Sequence, residues 1–337
     1  MLFMIGYPTV SNERFREILL ARSEQIKDIY FAWPGIASGR GTGAAAGIPE
    51  EERLDALLED LARFHHAGIG LNLLLNGNCY GKNSLGREFF NRIGDTVDFL
   101  VQEYGLSSVT TASPVIAGFL KKNFSGLELR ASVNMEIGST AGMEYLQNLF
   151  DGYYLKRELN RDIAAIRSIR KWCNDNGKKL YALANSGCLN NCSAHNFHDN
   201  LVAHEDEIRE MDNAFVFQSL CGQFLKTPEH RERFLEVTNF IRPEDLALYE
   251  GLFDGIKLAT RTNRTPAAVA LAYFNRSFRG NLPELLEPDH AGHFYPEILA
   301  NDKIPAQWVQ KVLHCSKDCA NCTFCRDVFN QSCVTLK

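Results

Sequence analysis

Short runs rich in β-formers recur along this chain, each followed by a longer amphipathic stretch, and that alternation is the strongest constraint on its fold. The strand-like runs are Leu2–Gly6, Asp28–Trp33, Gly70–Leu75, Ser108–Thr111, Leu127–Val133, Gly152–Leu155, Lys179–Ala184 and Phe253–Leu258. Between them the helical pattern is clearest from Pro49 to His66. Pro49 opens it, Glu50, Glu51 and Glu52 fill the first turn, and Leu54, Leu57, Leu58, Leu61 and Phe64 share one face. Asp162 to Cys173 repeats the pattern with Ile163, Ile166, Ile169 and Trp172. Strands alternating with helices predict a parallel sheet with helical crossovers. Eight such units over roughly 260 residues suit a (β/α)8 TIM-barrel-like fold, with a doubly wound sheet as the rival.

A barrel of this kind places its chemistry just after the strands. Polar groups gather there, at Asn76, Asn78, Asn134, Glu136, Arg157, Glu158, Asn185 and Lys257. The alternation stops near residue 283. We therefore expect a barrel domain over 1–283 and a C-terminal cysteine-rich metal-binding extension over 284–337. The extension holds Pro288, Pro296 and Pro305, the histidines His290, His293 and His314, and five cysteines from Cys315 onward.

The chain has ten cysteines among 337 residues, and 36 basic against 41 acidic side chains give a net charge of −5. That mild acidity argues against coating nucleic acid by bulk charge. The N-terminal apolar run is too short, and too soon interrupted by Pro8, for a secretory signal or a membrane span. The expectation is a cytoplasmic protein, where clustered thiols bind metal or do redox chemistry more often than they form disulfides.

Two cysteine groups follow. Cys315, Cys319, Cys322 and Cys325 are spaced closely enough to wrap a [4Fe-4S] cluster, with zinc as the competitor. Cys188 and Cys192 lie in Asn185-Ser-Gly-Cys-Leu-Asn-Asn-Cys, directly after a strand, with Gly187 expected to loosen the backbone at the turn. Cys79 and Cys221 also follow apolar runs. If the barrel gathers these four thiols, they form a second cluster or zinc site. Cys173, on an apolar helix face, reads as core.

Several stretches resemble the peptidase U32 (collagenase-like) family. They are Tyr154-Leu-Lys-Arg157-Glu158-Leu, the cysteine loop at Cys188 and Cys192, Ile241-Arg-Pro-Glu-Asp-Leu246, and Gly255-Ile-Lys257-Leu-Ala-Thr-Arg261. The resemblance runs from about residue 70 to 262. It departs from the family in lacking the longer cysteine signature and in placing Thr260 before the final arginine, which marks a divergent branch. The resemblance implies a TIM-barrel-like core, a four-cysteine cluster, and oxygen-independent hydroxylation of RNA bases or a quinone precursor ring. The word peptidase finds no support in the sequence, which has no HExxH pattern and no evident nucleophile–base–orienter set.

Other residues carry candidate roles. Glu136, Arg157, Glu158, Lys257 and His195 are candidate catalytic groups. Arg40 and Arg261 are candidate cofactor or substrate contacts, and His198 is a further proton carrier beside the cysteine loop. Residues 35–47 are glycine-rich and contain a GxGxxA match; the reading favoured here is a loop over the barrel mouth that excludes water, not a dinucleotide site. His65 and His66 complement a helix dipole. The expected function is an iron–sulfur enzyme acting on a small-molecule or nucleobase substrate, fed by an electron donor. A metal-stabilised electron-transfer or scaffold protein and a zinc-dependent hydrolase or peptidase are the alternatives.

Overall fold

Each apolar run of the sequence becomes one strand of a closed ring. The computed structural model describes residues 1–8, 10, 12–40 and 48–336. The eight parallel strands are β1 (Phe3–Gly6), β2 (Ile26–Ala32), β3 (Gly70–Leu75), β4 (Ser108–Thr111), β5 (Glu128–Ala131), β6 (Gly152–Tyr154), β7 (Lys179–Leu183) and β8 (Gly255–Leu258). They pair in sequence order, and β1 closes the ring against β8 with Phe3 opposite Ile256 and Met4 opposite Lys257. The barrel expectation holds, and the doubly wound rival is excluded.

The crossovers are α1 (Glu13–Leu20), α2 (Glu50–His66), α3 (Arg87–Tyr104), α4 (Pro114–Asn123), the single short turn α5 (Thr140–Glu144) and α6 (Ile163–Asp175). Helix α2 follows its sequence signals: Glu50, Glu51 and Glu52 occupy the positive end, and Arg63, His65 and His66 the negative end. Between β7 and β8 the chain departs from the simple unit. It lays α7 (His195–Ala203), α8 (Glu205–Arg209) and several further short turns before re-entering the sheet. No helix among the described residues is long and apolar enough to cross a membrane.

The main core lies between the ring and the helices, where Phe31, Leu73, Val109, Leu129, Ile166 and Leu180 are fully buried. Inside the ring a smaller cluster of Met4, Tyr30, Leu74, Val133, Tyr154, Tyr181 and Leu183 surrounds charged groups. Arg130 donates from Nη1 to Asp28 Oδ2 at 2.7 Å and from Nε to Glu128 Oε1 at 2.7 Å, and its guanidinium lies over the Tyr181 ring. Burial alone would raise the Glu128 carboxyl, but Arg130, Lys179 and Tyr181 outweigh it and hold the group down near about 2. Such a network costs desolvation and is tolerable only because each charge has a partner of opposite sign.

Residues beyond 284 pack on the β7–β8 connection. Trp308 is fully buried, and the Arg161 guanidinium lies 4.5 Å from both the Trp308 and Phe240 rings. Arg161 also donates to the carbonyls of Leu235, Thr238 and Phe240. Glu297–Leu299 (β9) and Cys333–Thr335 (β10) form a separate antiparallel pair. Replacing Arg161 strands three buried carbonyls at once, each worth ~1 kcal/mol or more. Arg161→Met is therefore expected to lower stability by ~3 kcal/mol in urea denaturation and to red-shift Trp308 emission. A loss within ~0.5 kcal/mol would contradict this role.

Candidate active site

The loops that leave the strands at one end of the ring are laced together by side chains. After β2, the Gly39 amide donates to Asn76 Oδ1, which follows β3, at 3.0 Å. A Cβ on Gly39 would lie 2.6 Å from Asn134 Nδ2 and 2.7 Å from Asn76 Nδ2, so only glycine fits this approach. Asn134, after β5, accepts from Arg157 Nη2 at 2.8 Å, and Arg157 follows β6. Arg261, after β8, returns to the β2 loop through Ser38 Oγ and the Arg40 carbonyl, each at 2.9 Å.

These loops enclose a cavity of about 70 Å³ at the mouth of the ring. Arg40, Arg157, Arg261, Lys257, Cys188, Asn76, Asn134 and Glu287 line it, with Tyr30 and Leu74 as its floor. Lys257 is the most unusual of them. It is 6% exposed, and its Nζ stands 4.1 Å from the Tyr30 ring centre and 5.1 Å from that of Tyr154. Among the described residues no carboxylate or carbonyl accepts from it. Burial, reinforced by Arg261, pulls its ammonium down to about 7. Burial likewise brings Arg261 down to about 10. Burial pushes the Glu287 carboxyl up, opposed by Arg40.

His195 on α7 reaches the rim of this cavity. Arg157 Nη1 is 2.8 Å from His195 Nε2 and has no acceptor capacity, so Nε2 accepts and Nδ1 carries the proton. That proton points to Glu136 Oε1 at 2.9 Å. Glu136 takes a left-handed backbone with φ 51, a conformation seldom held without a local reason. Asp199, one helical turn after His195, adds a carboxylate 3.4 Å from Nε2. Glu158 accepts from the Asn191 amide through Oε1, while its buried Oε2 makes no hydrogen bond. Ligand atoms of Glu136, Glu158 and His195 lie within 4.8 Å of one another. His198 lies against the Phe217 ring, with its imidazole pushed down by burial and by Arg40.

The expected second thiol group divides. The Cys221 thiol is pushed up by burial and further by Cys188 and Cys192, so both of these lie within electrostatic reach of it. Cys188 is also hydrogen-bonded to Arg40 and lines the mouth cavity. Cys79 instead faces His204, between α7 and α8. Gly187 serves the cysteine loop by size, not by turn geometry: a Cβ there would lie 2.2 Å from the Pro288 carbonyl oxygen. The segment at 287–288 crosses directly over it, and the Gly187 amide donates to the Glu287 carbonyl at 2.9 Å.

Cys315, Cys319, Cys322 and Cys325 stay together. Burial raises Cys319, with Glu236, Cys315 and Cys322 adding to it; burial also raises Cys325, helped by Cys315 and Cys319 and opposed by Arg161. Cys315, Cys319 and Cys325 share a cavity of about 490 Å³ with Arg161, Arg233 and Lys317. Among the described residues no three cysteines bring their sulfurs within 4.8 Å of one another. A tetrahedral zinc with Zn–S of about 2.3 Å would want sulfurs about 3.8 Å apart. Cys173 is fully buried, its thiol pushed up to about 11 by desolvation. The glycine-rich stretch over 41–47 lies outside the described residues.

Sequence reasoning missed Asp199, Glu287 and the tyrosine floor. Asp199 had a signal, four residues after His195 on one helix face. Glu287 and Tyr30 had none, because only tertiary folding brings them to the cavity that Lys257 also lines.

No family model matches the chain. An uncharacterized protease of Methanocaldococcus jannaschii is 27% identical over 97% of both chains. Among solved structures, the U32 peptidase Mk0906 superposes with a TM-score of 0.54 at 16% identity, covering 76% of this chain and 92% of that one. The structural likeness is one of fold.

Lys257 has a consequence for stability that can be measured. Its folded value of about 7 lies below the ordinary 10.5, so between those limits the unfolded chain holds a proton that the folded one does not. This residue therefore makes the fold more stable as pH rises through that window, and costs stability in full below it. Lys257→Met should raise stability at about pH 6 by roughly 1–3 kcal/mol, with the gain fading above about pH 10. A variant less stable than the parent at pH 6 would contradict the assignment.

Proposed function

We propose that this chain is a divergent U32-type barrel and that it is an iron–sulfur redox enzyme acting on a small organic substrate with an anionic group. The observation that carries this reading is Lys257, a buried amine with no acceptor among the described residues, lining a cavity that Arg40, Arg157, Arg261 and Cys188 share. Cys188, Cys192 and Cys221 fit a cluster by their donor chemistry and mutual reach. When bound, such a cluster supplies one-electron chemistry or activates an oxygen donor.

The chain's own groups have distinct tasks. Arg261 and Arg40 hold the anionic group, and the amides of Asn76 and Asn134 orient the remainder. Lys257 is close to half-neutral at pH 7, so its Nζ can take a proton from the bound molecule and return it. The rings of Tyr30 and Tyr154 stabilise the ammonium whenever it forms. Arg157 fixes His195 in one tautomer and holds the rim rigid. The four thiols at Cys315, Cys319, Cys322 and Cys325 are proposed to hold a second cluster, on the compactness of their run in the sequence and on the cavity that three of them share. With all ten cysteines free, this reading places the protein in the cytoplasm beside a protein electron donor.

One observation favours a second reading. Glu136, Glu158 and His195 are close enough to hold a divalent cation, which would suit a zinc hydrolase and the word protease in the name of the Methanocaldococcus relative. The Arg157 guanidinium on His195 opposes a cation there.

Anaerobic purification followed by iron, acid-labile sulfide and zinc analysis tests the proposal. A brown protein with iron and sulfide in equal amounts is expected. Cys188→Ala and Cys319→Ala should each remove a different part of the visible absorbance, and Lys257→Met should remove none. A colourless protein holding only zinc would overturn the redox reading, and retention of that zinc unless Glu136 is replaced by Gln would favour the hydrolase.

A further inference from the structure

We propose that Cys79, His204 and Glu207 form a nucleophilic thiol site, separate from the mouth cavity, whose electrophile is a low-molecular-weight disulfide. Cys79 sits on the loop after β3, and the Gly81 amide donates to its Sγ at 3.4 Å. The thiol is hydrogen-bonded to His204, which lies between α7 and α8. His204 Nδ1 in turn is 3.0 Å from Glu207 Oε2, which leaves the opposite ring nitrogen for the thiol. A nucleophile, a base and a group orienting that base are thus brought together from two distant parts of the chain.

Access and charge agree with this role. Cys79 is half-buried, and the His204 side chain is 26% exposed. His204 opens onto a cavity of about 130 Å³ whose apolar wall is Ile36, Ala37, Val202 and Ala203. The charged groups that act on Cys79 are His204, which lowers its thiol, and Glu207, which raises it; the net direction is down. The His204 imidazole moves up for the same reason, its first cause being the bond to Cys79. Both shifts favour a thiolate–imidazolium pair. None of the groups acting on Cys79 belongs to the Cys188, Cys192 and Cys221 trio.

The step balances without any further reagent. The Cys79 thiolate attacks one sulfur of R–S–S–R, forming a mixed disulfide as the original S–S bond breaks. The departing RS⁻ takes the proton held on His204 and leaves as RSH. Cys79 is oxidised, and one half of the small disulfide is reduced.

Anaerobically purified holoprotein treated with cystamine at about pH 7, acid-quenched and peptide-mapped by mass spectrometry tests this. Cys79 should carry the first cysteamine adduct, forming about tenfold faster than on an unstructured cysteine peptide in the same tube. His204→Gln, folded by circular dichroism, should slow the adduct by about tenfold, and Glu207→Gln by about two- to threefold. Cys79→Ser should abolish that adduct and leave the metal content and visible absorbance unchanged. A Cys79 rate no faster than the free peptide's would overturn the proposal, as would an unchanged rate in His204→Gln. Loss of absorbance in Cys79→Ser would make Cys79 a metal ligand instead. Because the adduct is read by mass, the result stands apart from whether a cluster is found.

Discussion

Closure of the ring through β1 and β8 is the constraint on which the rest of the structure depends. Every backbone N–H and C=O of a buried parallel strand needs a neighbour, and closing the sheet is the one arrangement that leaves no edge. The register that closes it sets Met4 opposite Lys257. This places a lysine inside a ring whose lower level already holds the Asp28–Arg130 ion pair, with their contact at 2.7 Å. Arg130 is committed to Asp28 and Glu128, so Lys257 enters the interior with Asp28 acting on it only at a distance and with no hydrogen-bond acceptor among the described residues. It meets the faces of Tyr30 and Tyr154 instead. A cation set against aromatic faces in a dry site, with its nearest opposing charge already paired to Arg130, is a poor way to gain stability and a good way to gain a proton acceptor near neutrality.

The mouth above Lys257 is rigid for a different reason. Five strand-end loops exchange hydrogen bonds through Gly39, Asn76, Asn134, Arg157 and Arg261, so none can shift alone. Contact with the polypeptide after β8 completes the site, where Glu287 lines the cavity and Pro288 presses on Gly187. The cysteine loop, the cavity wall and the C-terminal polypeptide are therefore one packed unit. Arg161 anchors that polypeptide at a distance by stacking between Phe240 and Trp308.

Much of the ring was legible because strands buried on both faces read as continuous apolar runs. Gly70–Leu75 and Ser108–Thr111 match their sequence expectations residue for residue, and α2 begins and ends where its charges indicate. The run Leu127–Val133 was read too long, since Val133 already begins a tight turn that leads to the strained Glu136. Beyond α7, the β7–β8 connection was not legible as a set of elements, because helices of four or five residues carry no amphipathic period. In the site, Arg157 and Arg261 could be found by their place after strands, and Lys257 as the one charge within the apolar run that becomes β8. The partner of Cys79 could not, since His204 is brought to it by the fold alone. The same holds for Glu287, whose meeting with Arg40 depends on a crossing of chain segments that no local pattern encodes.

A redox cluster beside the lysine at the barrel mouth is the feature on which the proposed chemistry depends. Diffraction data collected on either side of the iron absorption edge, from crystals grown without oxygen, test this most directly. The account predicts an anomalous iron peak bounded by the sulfurs of Cys188, Cys192 and Cys221, next to the cavity that Lys257 floors. Iron found solely among Cys315, Cys319, Cys322 and Cys325, or a zinc-edge signal at Glu136 and His195 in its place, would contradict it.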